Sequence, residues 1–229
     1  MSAQFKSLCR LWNKKKPMET KYVWLHDWVV VDYLFRSHNK QKTKNIELLV
    51  GLMLCKFCEK QWSTKCTIGL PVMDRYEKEI PTNGMVDLAQ LEDIVENKID
   101  EATPTDIVIG RNEPETNRKG QLVSQGMSFQ IKRFGKNPTA QDTEALINFI
   151  TEEIPKKYPP NSGSGLIVLA ETPEEIRLKE VAEKIQNTSH PFEKIIIIGL
   201  EEKRYLNFYG LWPNTGQCQF DLDTFEFNF

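Results

Sequence analysis

Residues 104–134 read PTDIVIGRNEPETNRKGQLVSQGMSFQIKRF, and the fold turns on them. DIVIG (106–110) is a β-rich run that an acid opens. The polar stretch 111–120, holding Pro114 and Asn117, has the composition of a loop, and 122–134 is a return strand. Downstream, the spacing predicts a helix over 139–158, with Ala145, Leu146, Phe149, Ile150 and Ile154 on one face. It then predicts an apolar strand at 166–170 and a helix at 173–185, with Thr172 as its cap and Pro173 in its first turn. The next strand, 194–200, lacks polar alternation, so helices are expected on both its faces. A strand at 205–209 and an irregular C-terminus complete the chain. The order strand, strand, helix, strand, helix, strand is that of an α/β sheet in which a hairpin opens a parallel crossover.

Upstream the pattern is looser. Residues 21–36 are aromatic and β-branched and suit helix or strand. Residues 45–62 repeat Ile46, Leu49, Leu52, Met53, Lys56 and Phe57 at helical steps. A short strand is expected at 62–70. A second helix at 86–99 carries Val86, Leu88, Leu91, Ile94, Val95 and Ile99, within an acidic stretch that reads as a solvated helix face. Residues 1–80 are taken as a basic, partly helical N-terminal extension and 81–229 as the α/β core.

The 229 residues carry 30 basic and 32 acidic side chains, a net charge of −2. Residues 1–46 alone hold a balance of +7, leaving −9 for the rest. Trp12, Tyr22, Trp24 and Trp28 share that basic stretch, a composition able to hold a phosphate backbone, although a solvated tail has the same one. No apolar run approaches the ~20 residues of a membrane span. Five irregularly spaced cysteines do not form a secreted disulfide framework, so a cytoplasmic location is expected. Cys55, Cys58 and Cys66 could hold zinc only with a fourth ligand, and inside an apolar helix Cys is more often a small core residue.

Within the return strand a period of two puts Gln130 and Lys132 on one face and Phe129 and Ile131 on the other. Together with Asp106, that is a donor set for metal-assisted phosphodiester hydrolysis. The Asp106 carboxylate, the Gln130 amide oxygen and the Ile131 carbonyl suit Mg²⁺ or Mn²⁺. The Lys132 ammonium suits an attacking water or a developing phosphorane. The same residues also occur on solvated strand faces and at turns.

FQIKRF (129–134) resembles the QxK strand of Mrr-like restriction endonucleases, a branch of the PD-(D/E)xK nuclease superfamily, and PTDIVIG (104–110) resembles the superfamily's metal-binding Asp strand. GLIVLAETPEEIRLKEVAEKI (165–185) and KIIIIGLEE (194–202) resemble the elements that follow there. The resemblance implies a restriction-endonuclease-like mixed sheet flanked by helices and a Mg²⁺- or Mn²⁺-dependent nuclease acting on DNA. In it Asp106 and Gln130 bind metal, and Lys132 assists the nucleophile. A homodimer would account for double-strand cutting, and a separate specificity partner is compatible. The resemblance also implies a helical Glu before the hairpin, for which Glu92 and Glu47 compete, Glu92 being nearer in sequence. With Gln130 in place of an acid, the alternative is a degenerate nucleic-acid-binding or protein-interaction module on the same fold.

Overall fold

The structure, a computed structural model, describes residues 22–36, 42–73, 76, 86–99, 105–111, 115–116, 122–123, 126–135, 142–157, 164–171, 175–201, 205–224 and 226–228. They fall into two compact units, one within Lys14–Ser128 and one within Phe129–Phe229. The boundary expected at residue 80 lies outside the described residues. The architecture is mixed α/β, with sheets flanked by helices.

In the first unit the chain forms β1 (Tyr22–Leu25), α1 (Asp27–Arg36), α2 (Lys42–Trp62), β2 (Cys66–Pro71), α3 (Leu88–Asn97) and β3 (Ile107–Arg111). The segment 21–36, which suited helix or strand, holds one of each. β2 pairs antiparallel with both β1 and β3, so that Leu25, Ile68 and Ile109 form one row across the sheet. On that face α2 comes close: a Cβ at Gly51 would stand 3.0 Å from Ile68 and 3.6 Å from Ile107. On the opposite face the ring of Trp24 covers two glycines. A Cβ would stand 2.9 Å from it at Gly69 and 2.7 Å at Gly110, so only glycine fits under the indole.

Burial in α2 differs from the expected stripe. Leu48, Val50, Leu52, Met53, Leu54, Cys55 and Cys58 are all buried, whereas Ile46, Leu49 and Phe57 are half-buried. The helix is enclosed by the sheet on one side and by α1 on another, which leaves no continuous solvent face. At the start of α3, Asp87 accepts from the Gln90 amide at 2.9 Å and the Gln90 side chain accepts from the Asp87 amide at 2.9 Å, a reciprocal cap. Leu91, Ile94 and Val95 are buried while Glu92, Asp93 and Glu96 are exposed, so the acids of this helix do form a solvated face. A small ribbon pairs β4 (Glu115–Thr116), inside the segment expected to be loop, with β5 (Leu122–Val123), at the start of the expected return strand.

β6 (Gly126–Phe134) begins in the first unit, where a Cβ at Gly126 would stand 3.1 Å from Val108 on β3. In the second unit β6, β7 (Gly165–Ala170) and β8 (Lys194–Glu201) run parallel. Two crossovers link them. One uses α4 (Thr143–Asn148), capped by Asp142 and continued through a wider π-type turn at Phe149–Glu153; the other uses α5 (Leu178–Gln186). Leu146, Ile150, Val181 and Ile185 from these crossovers pack on Leu166, Val168, Ile195 and Ile197.

Two expectations are corrected here. The helix expected from Pro173 begins at Leu178, with Arg177 at the cap position; Thr172 and Pro173 lie outside the described residues. The C-terminus is not irregular. β9 (Tyr205–Trp212), β10 (Gly216–Asp221) and β11 (Glu226–Asn228) form an antiparallel meander beside β8. Among the described residues no helix is long and apolar enough to cross a membrane.

Candidate functional site

β6 positions most of the expected site. Its parallel register sets Gln130 opposite Leu166, Lys132 opposite Val168 and Phe134 opposite Ala170, so Gln130 and Lys132 share the face that α4 and α5 cover. Gln130 is 1% exposed and Lys132 is half-buried. Phe129 and Ile131, on the other face, are buried as well. Phe129 lies so close to β7 that a Cβ at Gly165 would come within 2.5 Å of its ring. The strand is therefore dry on both sides along residues 129–131.

The basic–aromatic pair that ends the strand has a structural role that the sequence did not show. Arg133 donates to Glu171 through Nε at 2.8 Å and Nη2 at 2.6 Å, a forked pair joining the ends of β6 and β7. Phe134 packs against Phe149 with ring centroids 5.5 Å apart.

Asp106 is half-buried and stands on a bend just before β3, which begins at Ile107 rather than at Asp106. It belongs to the first unit, whereas Gln130, Ile131 and Lys132 belong to the second.

The two competing glutamates occupy different environments. Glu92 lies on the exposed face of α3, where with Glu96 it adds to burial in raising the pKa of Tyr33 on α1. Glu47 is 8% exposed, near the start of α2, and accepts from Lys44 at 2.9 Å. Its helix packs on both β2 and β3, and Asp106 leads into β3. Of the two, Glu47 is the carboxylate on the helix that abuts the Asp106 strand.

The cysteine cluster is core. Cys55, Cys58 and Cys66 are buried free thiols. Burial, reinforced by Glu59, pushes the Cys66 thiol up to about 12, and burial pushes Cys55 up as well. Among the described residues no three His, Cys, Asp or Glu side chains gather as a metal site.

The aromatics of the basic stretch divide in two. Trp24 is fixed against the sheet, with Tyr22 beside it at 6.0 Å, whereas Trp28 on α1 is exposed. Comparison with protein families, curated proteins and solved structures found no match for this chain.

Proposed function

We propose that this protein is a metal-dependent nuclease that hydrolyses DNA phosphodiester bonds. One observation carries the reading: β6 holds Gln130 and Lys132 on a single face, with the Gln130 amide buried. Burying an amide costs free energy unless it is hydrogen-bonded, and departures of this kind from an apolar core concentrate at functional sites. The donors are hard oxygens, as Mg²⁺ and Mn²⁺ require: the Asp106 carboxylate, the Gln130 amide oxygen and the Ile131 carbonyl. A bound cation would supply Lewis-acid polarisation of the phosphate. Lys132 would orient the attacking water or offset charge on the phosphorane. Glu47 is the further carboxylate this reading favours over Glu92. The basic N-terminal residues would hold the DNA backbone.

A second reading keeps the fold without the chemistry. It is favoured by the neutral amide of Gln130, which offers a cation less charge than a carboxylate would. Nicking of supercoiled plasmid with Mg²⁺ or Mn²⁺ separates the two. Cleavage that stops with EDTA, and falls at least a hundredfold in both Asp106→Ala and Lys132→Ala, is the expected result. Cleavage untouched by Lys132→Ala overturns the assignment, and DNA binding without cleavage favours the second reading.

A further inference from the structure

Protein interiors rarely hold a polar ring with nothing to bond to, and one end of the C-terminal sheet does so. His190 lies in the connection between α5 and β8. Both of its ring nitrogens are closed off from solvent, and among the described residues neither has a hydrogen-bond partner. Aromatic rings hold it instead. Trp212 meets it edge-on, 88° between planes with centroids 5.0 Å apart, and Phe192 lies beside it at 6.5 Å.

The ring sits where the sheet is least regular. Phe192 belongs to the apolar core that α4 and α5 share with the sheet, and Trp212 packs against that core. Trp212 is also the last residue of β9, paired with Ile195 of β8, and the β8–β9 register shifts between Ile195 and Ile196. His190 therefore props the final pair of this ladder at its irregular end.

A proton on the ring has no counterpart there. Neutral imidazole leaves one N–H and one lone pair unbonded, whereas imidazolium brings a full charge and a second donor into an aromatic box. The surrounding elements carry Glu183 and Lys184 on α5, Glu193 and Lys194 at the entry to β8, and Tyr205 and Tyr209 on β9. No charged side chain among the described residues acts on the ring, and burial holds its pKa below the ordinary value. The way out is short, because the residue as a whole is only half-buried.

We propose that His190 is a proton-operated latch: charging the ring expels it from between Phe192 and Trp212 and opens the β8–β9 corner while the rest of the sheet stays folded. The device is independent of the nuclease reading.

The test is amide hydrogen exchange of the full chain at pH 7.5 and pH 5.0, read at Ile195 and Trp212 and corrected for the intrinsic pH dependence of exchange. An expelled ring titrates near the ordinary 6.5, so the opening equilibrium should rise several-fold, and by up to about thirtyfold, over this range. The rise should persist unchanged in low urea, the mark of a local opening, while Ile167 of the central strand β7 exchanges by the urea-sensitive global route. In His190→Phe the corner should lose its pH dependence. His190→Gln, equally unable to titrate, repeats the comparison if the larger phenyl ring loosens the core. Corner amides that exchange only by the global route overturn the proposal, as does the same acceleration in both variants. A wild-type corner unchanged at pH 5.0 overturns it too, and would show that the imidazolium stays in place against the indole.

Discussion

At the scale of single residues, the interior tolerates little change of volume or charge. Gly69 and Gly110 leave room for the Trp24 ring, and a methyl group at either must displace it. Gly110→Ala should cost roughly 1–3 kcal/mol, as overpacking does, measured as a lower urea midpoint with a shift in tryptophan emission. His190 makes a different prediction. Its ring packs edge-on to Trp212 at 5.0 Å and beside Phe192 at 6.5 Å. Burial holds its pKa below the ordinary 6.5. Between the folded value and 6.5 the unfolded chain binds the proton and the native ring does not. The contribution of His190 is therefore intact above pH 6.5, and stability falls as pH drops from 6.5 towards the folded pKa. His190→Phe should flatten that part of a stability–pH profile measured by urea unfolding; an unchanged slope would show that His190 is not its source.

At the scale of elements, legibility followed how local the determining interactions are. The reciprocal cap of α3 joins residues three apart, and the alternation of buried and acidic positions along that helix was readable directly. Asp87→Ala should lower stability by about 0.5–2 kcal/mol, read as a reduced thermal midpoint, because it leaves the first-turn amide of Gln90 without its cap. The partition of Gln130 and Lys132 from Phe129 and Ile131 was likewise readable, since a strand alternates by geometry. Burial of both faces was not, because it depends on helices more than ten residues away. The stripe assigned to α2 erred for the same reason: Leu48, Val50 and Leu54 are covered by an element from another part of the chain. In the C-terminal meander, the run GQCQFD is too short and too polar to stand out until β9 lies beside it.

At the scale of the whole molecule, charge is the property that bears on function. The chain is nearly neutral, yet its first 46 residues carry +7. If these hold a nucleic-acid backbone, replacing Lys14, Lys15 and Lys16 with Gln should reduce the salt slope of DNA affinity by up to about 2–3, or 0.7–0.9 per lost phosphate contact. Titration of affinity against salt measures it, and an unchanged slope would place the contacts elsewhere.

From the sequence alone came the α/β class, the parallel crossover after β6, the shared face of Gln130 and Lys132, and the charge asymmetry, because each depends on local periodicity or on composition. Tertiary structure alone decided that Glu47 rather than Glu92 lies on the helix against β3, and that Gln130 is buried. It also decided that Cys55, Cys58 and Cys66 are core thiols, and that Trp24 is a packing residue while Trp28 faces solvent. Each of these is a question of burial, and burial is set by whichever distant segment folds over a residue.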